Sequence, residues 1–228
     1  MAIETNNLLH DPRDSKRYFL ENTPIRQMIT TACRIGLLLM AKIEVRDVEY
    51  LPVSGPVILA ANHLTEYDVF PIQLVLPRLI FFMAKAELFT NPFSDFVMRR
   101  LGGFPVNRGQ NDEWAARYAL HVLENRQVLG IFPEGKRSRG QGLRTAKTGA
   151  ARFAIQARVP IIPLGVEGTD EMFKRFPRRT PVHVRVGSPI YPEPDEPPIE
   201  LTDRMMFAMA DLLPQKLRGV YAQRPPGF

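Results

Sequence analysis

The sequence predicts a single α/β domain, in which helices cover a mixed β-sheet and an amphipathic helix precedes the sheet. Short apolar runs alternate along the chain with stretches of helical periodicity. The 228 residues are 45% hydrophobic, which is enough to bury one core. No apolar run reaches the roughly 18 residues that span a bilayer, and no signal peptide is visible. We expect an N-terminal segment, 1–42, and an α/β domain, 43–228.

The N-terminal segment starts with twenty polar residues that we expect to be loosely ordered. A helix is predicted from Thr23 to about Lys42, since Thr23 can cap it and Pro24 suits its first position. One side is apolar, and the polar side consists of Arg26, Arg34 and Lys42. Two interpretations stay open: a helix packed on the core, or an interfacial helix whose apolar face lies among lipid headgroups.

The remaining elements follow in order. Strands are predicted at 43–48, 56–61, 79–85, 104–107, 128–133, 160–166 and 181–187. Helices are predicted at 68–76, 92–101, 112–126, 147–157 and 202–213. Asn111 or Asp112 can cap the third of these helices, and alternating valines mark the last strand. The segment Pro189–Pro198 contains five prolines and is predicted to be a stiff connector.

A histidine and an aspartate follow the predicted strand 56–61 directly, in Asn62-His63-Leu64-Thr65-Glu66-Tyr67-Asp68. Asp68 can accept a hydrogen bond from one ring nitrogen of His63. That bond sets the tautomer and leaves the other nitrogen free to take a proton from a hydroxyl. The spacing alone also fits a strand-end turn in which Asp68 caps a helix.

Two further segments bring cations to strand ends. They are Gly102-Gly103-Phe104-Pro105-Val106-Asn107-Arg108-Gly109 and Ile131-Phe132-Pro133-Glu134-Gly135-Lys136-Arg137-Ser138-Arg139. From Arg99 to Arg152 the chain has eleven Lys and Arg residues and four acids, a net charge of +7. The rest of the chain therefore carries −1, which gives the total of +6. This concentration indicates an anionic ligand or surface. Nucleic acid is not expected, because no binding motif is present.

With a fourth segment, the buried strand Val159-Pro160-Ile161-Ile162-Pro163-Leu164-Gly165-Val166, these motifs resemble the glycerolipid acyltransferase family, which includes 1-acylglycerol-3-phosphate acyltransferases. The resemblance runs from about Gly55 to Gly168. It implies a glycerol-3-phosphate acyltransferase-like fold and transfer of an acyl group from a thioester to the hydroxyl of a lysophosphatidate-type acceptor. The product is phosphatidate. Glycerol 3-phosphate and other lysophospholipids stay open as acceptors.

The resemblance implies a role for each motif residue. His63 is the general base and Asp68 orients it, without an acyl-enzyme. Arg108, Arg137 and Lys147 are favoured as phosphate ligands. Glu134 would order the loop or bind a substrate hydroxyl; a salt bridge to Arg side chains is the alternative. The remaining substrate-binding candidates are Gly135, Lys136 and Ser138. Arg139 and Arg144 are interpreted as solvated surface charges.

The same resemblance implies the partners. The donor is acyl-CoA or acyl carrier protein, the acceptor is a lysophospholipid, and the protein is expected to lie peripherally on an anionic membrane, at its cytoplasmic face. No cofactor and no metal are expected. The single cysteine, Cys33, fits a reducing compartment. The aromatic residues between the first two motifs pack in the core, line an acyl groove or touch the membrane: Phe81, Phe82, Phe89, Phe93 and Phe96.

Two interpretations come from other functional classes. Gly130 to Lys136 matches the first seven positions of the phosphate-binding loop of nucleotide hydrolases, but Arg137 stands where a hydroxyl is required. A non-catalytic lipid-binding protein with the same fold is the other alternative. The presence of both His63 and Asp68 argues against it.

Overall fold

The computed structural model describes residues 11–18, 23–75, 78–109, 111–175 and 177–225. Within them, seven strands are present: β1 (Ala41–Arg46), β2 (Val57–Ala61), β3 (Ile80–Lys85), β4 (Gly103–Val106), β5 (Val128–Ile131), β6 (Ile161–Glu167) and β7 (Thr180–Val186). The six α-helices are α1 (Pro24–Met40), α2 (Val69–Val75), α3 (Pro92–Arg100), α4 (Glu113–Glu124), α5 (Gly149–Ala157) and α6 (Pro198–Asp211). All the predicted elements are confirmed. The proline-rich connector is shorter than predicted, because Pro198 already starts α6.

The strands form one mixed sheet in the order β1-β7-β6-β2-β5-β3-β4. Every neighbouring pair is parallel except β6 and β7. Parallel neighbours need crossover connections, which the helices supply. The carboxyl ends of β2, β3, β4, β5 and β6 therefore meet at one edge of the sheet. Ligands of open α/β sheets bind at such an edge.

The two faces of the sheet are covered by different helices. Along β2, Ile58 and Ala60 pack in a core with α4, α5 and α6. Leu59 points to the opposite face and packs in a second core with Ile72 of α2. All five residues of β2 are buried, which explains why this strand is a continuous apolar run.

Helix α1 begins as predicted, with Thr23 Oγ1 accepting a hydrogen bond from the Arg26 N–H at 3.2 Å. Its orientation corrects the prediction for Arg26, which is fully buried instead of solvated. Lys42 lies in β1, beyond the helix. The apolar residues exposed on the outer side are Ile25, Met28, Ile35, Leu38 and Leu39. None of the helices in the described ranges is long and apolar enough to cross a membrane.

The N-terminal segment is more ordered than predicted where it is described. The Arg13 guanidinium pairs with Asp112 at 2.6 Å and lies 4.5 Å from the centre of the Trp114 ring. The Trp114 indole N–H donates to Asp14 at 2.7 Å. Residues 11–18 are therefore held against the start of α4, and Asp112 also caps that helix. The first ten residues lie outside the described ranges.

Candidate active site

The structure brings His63 and Asp68 together at the carboxyl end of β2. The Nδ1 atom of His63 lies 2.8 Å from Oδ2 of Asp68. Asp68 is fully buried and also accepts hydrogen bonds from the Thr65 N–H at 2.9 Å and from the Thr169 hydroxyl. Among the described residues these donors all lie outside α2, so the carboxylate orients His63 and does not cap that helix. Nε2 is left as the nitrogen available to a substrate.

Two residues that the sequence did not single out support this pair. The Asn62 side chain accepts from the Val166 N–H at 2.7 Å and donates to the Val166 carbonyl at 2.9 Å, which ties the His63 turn to β6. Thr169 follows the same strand and donates to Asp68. A polar residue three positions after a predicted strand was the available signal for Thr169. Its partner is 101 residues away in sequence.

Glu134 connects the histidine turn to the cationic loop. Its carboxylate accepts from the His63 N–H at 2.8 Å and from the Arg144 N–H at 2.9 Å. Burial raises the pKa of the Glu134 carboxyl, and the two backbone donors oppose that rise. Within the described ranges no Arg side chain pairs with Glu134, so the salt-bridge alternative is wrong. The contacts fit the loop-ordering role.

A cavity of about 530 Å³ opens beside His63, between α2, α3 and the ends of β3 and β5. Its lining includes three cations, Lys85, Arg108 and Arg137. Lys85 pairs with Glu87 and Arg137 pairs with Glu66. Most of the remaining lining is apolar and includes Phe70, Phe82, Met83, Leu88, Met98 and Leu101. His63, three cations and an apolar space therefore share one volume.

Two aromatic rings of the cavity lining pack beside His63. The Phe132 ring stacks on the imidazole with 4.1 Å between centroids, and Phe82 stacks on Phe132 at 5.7 Å. Gly130 is required beneath them, because a Cβ there would lie 2.3 Å from the Phe82 ring. The five phenylalanines between the first two motifs differ in burial. Phe81, Phe82 and Phe89 are buried, whereas Phe93 and Phe96 are exposed.

The other predicted substrate-binding residues lie outside the cavity lining. Ser138 is buried, and its N–H donates to the His63 carbonyl at 2.7 Å. Lys136 and Lys147 are exposed, and Lys147 extends over Gly135, where a Cβ would lie 3.4 Å from Lys147 Cε. The described residues include no group of three or more His, Cys, Asp or Glu side chains placed to hold a metal ion.

The loop geometry corrects the nucleotide-hydrolase interpretation. In a phosphate-binding loop, a helix starts directly at the lysine. Here Gly130 belongs to β5, and the next α-helix begins only at Gly149. Phe132 packs on the imidazole, so this segment has no room to cradle a phosphate chain.

Comparison with known proteins agrees with this geometry. A 1-acyl-sn-glycerol-3-phosphate acyltransferase of Bacillus subtilis (strain 168) is 26% identical over 191 residues, covering 82% of this chain and 92% of that protein. The human 1-acyl-sn-glycerol-3-phosphate acyltransferase alpha is 27% identical over 222 residues, covering 91% of this chain and 77% of that protein.

Among solved structures, the 1-acyl-sn-glycerophosphate (LPA) acyltransferase of Thermotoga maritima has the same fold. The TM-score is 0.67 over 82% of this chain and 78% of that chain, at 23% sequence identity. A family model described as Acyltransferase matches residues 42–167, more than half of the chain. The chain therefore belongs to the Acyltransferase family.

Proposed function

We propose that this acyltransferase moves a fatty acyl group from a thioester to the free hydroxyl of lysophosphatidate, giving phosphatidate. The observation that carries the proposal is the cavity lined by His63, Arg108, Arg137 and apolar side chains, with Asp68 bound to His63 behind it. The relatives named as 1-acyl-sn-glycerol-3-phosphate acyltransferases support this choice of acceptor. Glycerol 3-phosphate and other lysophospholipids are the alternative acceptors.

The chemistry follows from the geometry of the pair. An aspartate carboxylate accepts the Nδ1 proton of His63, so Nε2 keeps a free lone pair. Nε2 takes the proton of the acceptor hydroxyl as its oxygen attacks the thioester carbonyl. The tetrahedral intermediate collapses with cleavage of the C–S bond, and the leaving thiolate receives the proton from Nε2. The ester forms without an acyl-enzyme.

The charged and apolar parts of the cavity suit different parts of the substrates. Arg108 and Arg137 would bind the acceptor phosphate, since guanidinium groups bind phosphate bidentately. The apolar lining would hold the acyl chain. The donor would be acyl-CoA or acyl carrier protein, and the chemistry requires neither a metal nor another cofactor.

We propose that the protein acts while bound peripherally at the cytoplasmic face of a membrane. The outer side of α1 exposes Met28 and Leu39 to 72% and 67%, and Phe93 of α3 is 78% exposed. Helix α1 packs against α2 and α3, the helices beside the cavity. Docking through this apolar surface would bring the lipid acceptor next to His63.

The test is acyl transfer by the purified protein in anionic vesicles, with several donors and acceptors and with products identified by mass spectrometry. Phosphatidate should form from lysophosphatidate and an acyl thioester. Release of free fatty acid as the main product would contradict the proposal. So would equal acylation of lysophosphatidate and of a monoacylglycerol without a phosphate.

A further inference from the structure

Three exposed cations lie outside the cavity, on the loop between β5 and α5: Lys136, Arg144 and Lys147. These three residues are named here the loop patch. All three are exposed, and none pairs with a described carboxylate. From 135 to 152 the chain has six Lys and Arg and no acid. Such an uncompensated cluster attracts an anion.

The backbone holds the three residues close together. The Arg144 N–H donates to Glu134 at 2.9 Å, and the Lys147 N–H donates to the Pro133 carbonyl at 2.9 Å. Both bonds return the chain to the start of the loop. The Lys147 side chain then lies over Gly135, the neighbour of Lys136. The fold therefore brings the backbone of Arg144 and Lys147 back to the start of the loop, beside Lys136.

Lys136, Arg144 and Lys147 are absent from the lining of the cavity beside His63. The cavity belongs to the side of α2, and its Phe82 and Phe132 pack in the core of that sheet face. The loop instead crosses to the other face, where Leu143 and Ala150 pack with α4 and α6. Helix α1, with its exposed apolar residues, packs beside α2. The loop patch thus belongs to a loop that is anchored on the sheet face opposite α2.

We propose that the loop patch binds the anionic end of the acyl donor, while Arg108 and Arg137 bind the acceptor phosphate. This inference rests on the proposed function. A donor thioester whose acyl chain fills the cavity must extend its phosphopantetheine arm away from the apolar side. Coenzyme A and acyl carrier proteins both carry phosphate and further negative charge beyond that arm. Charge complementarity of this kind mainly strengthens encounter and orientation.

The experiment compares two double variants that remove the same charge. Arg144→Gln/Lys147→Gln alters the loop patch. Arg126→Gln/Arg158→Gln is the control, because both residues are exposed and precede β5 and β6 at the opposite edge of the sheet. Binding of free coenzyme A and of holo acyl carrier protein is measured by calorimetry at low salt. The KM values for acyl-CoA, acyl carrier protein and lysophosphatidate are measured in vesicles.

The loop-patch variant should bind at least one carrier roughly tenfold more weakly and raise its KM by a similar factor, because two charges that would contact the carrier's anionic end are removed. The control should be unchanged. Weaker binding of both coenzyme A and carrier protein would show that the loop patch binds the phosphopantetheine arm and phosphate that the two carriers share. Loss with only one identifies the natural donor. An unchanged donor KM, or loss of vesicle binding instead of donor binding, would overturn the inference. Binding of coenzyme A is read without turnover, so this result is independent of whether lysophosphatidate is the acceptor.

Discussion

His63 is held at several atoms by residues far apart in sequence. Asp68 binds Nδ1, Glu134 accepts its backbone N–H, and Phe132 covers one ring face. The proposed base is therefore pre-oriented toward the cavity, so less ordering would be needed when an acceptor binds. Variants of single residues can distinguish roles in proton transfer, acceptor binding and support of the loop.

His63→Ala should abolish acyl transfer and leave the fold intact, because a general base contributes about 10²–10⁴-fold to the rate. Asp68→Asn should lower kcat substantially, since an amide no longer selects the Nδ1–H tautomer. Steady-state kinetics and circular dichroism check both variants. Substantial turnover in a folded His63→Ala protein would refute the base assignment, and a fully active Asp68→Asn protein would make Asp68 purely structural.

Arg137→Ala should lower kcat/KM for lysophosphatidate by about 10–100-fold, as expected for the loss of a charge-assisted hydrogen bond of about 1.5–3 kcal/mol. The existing pair with Glu66 favours the lower end of this range, because it competes with the phosphate. Arg108→Ala should act similarly but more weakly. Arg139→Ala is the matched control, an exposed cation of the same loop.

The readout for Arg137 is the comparison of two acceptors. Kinetics with lysophosphatidate and with a monoacylglycerol should show the loss only for the phosphorylated acceptor. Equal losses for both acceptors would indicate a structural role for Arg137.

Glu134→Gln should destabilise the fold by about 1–3 kcal/mol, because the amide nitrogen cannot accept one of the two backbone N–H groups that the carboxylate now binds. Thermal unfolding measures this change, and Glu87→Gln, at an exposed surface carboxylate, is the control. Unchanged stability together with a selective loss of acceptor binding would instead support the substrate-hydroxyl role.

At the scale of elements, α1 is unusual because its inner side contains a buried charge. The guanidinium nitrogens of Arg26 have no hydrogen-bond partner within the described ranges, and the group lies 5.3 Å from the centre of the Phe81 ring. Burial lowers the pKa of Arg26 to about 10. The cation–π contact offsets only part of the desolvation cost. The packing of α1 therefore includes an unfavourable contribution.

Arg26→Met should raise the free energy of unfolding by about 1–3 kcal/mol, since it removes an uncompensated buried charge and keeps an unbranched side chain. Arg34→Met on the same helix is the control, because Arg34 is exposed and should change stability by less than ~0.5 kcal/mol. Chemical denaturation measures both variants. A destabilised Arg26→Met protein would show that the guanidinium makes a net favourable contact.

At the scale of the whole molecule, the helices on the two faces of the sheet determine which side of the protein can dock on a membrane. Helix α6 covers one sheet face, and the apolar side of α1 is exposed beside α2 on the other. Deleting residues 1–42 would be a poor test of docking, because it would also remove β1 residues and the packing of Leu37. Substitutions on the outer side of α1 avoid that problem.

Met28→Glu/Leu39→Glu should greatly reduce flotation with anionic vesicles and leave thermal stability unchanged, since both side chains are already exposed. Ile199→Glu/Val220→Glu is the matched control, with exposed apolar residues on and after α6. Flotation in rising salt also tests the contribution of cations. Equal flotation of the two double variants would exclude α1 as the docking surface and leave Phe93 and Phe96 to be tested.

The sequence by itself determined the elements and the residues at strand ends. Apolar periodicity is a local property, so the strands and helices could be predicted to within a few residues. His63 and Asp68 are five residues apart, and their pairing could be predicted for the same reason. The cations after β4 and β5 could be placed at one edge, because parallel strands end together.

Only the tertiary structure decided which distant groups meet. Glu134 reaches His63 across 71 residues and Thr169 reaches Asp68 across 101, distances over which sequence spacing has no geometric meaning. It also decided that Arg137 lines the cavity while Lys136 and Lys147 do not. Helix α1 shows the reason: periodicity reveals that a helix has an apolar side, but only the packed neighbours determine whether that side faces the core or the solvent.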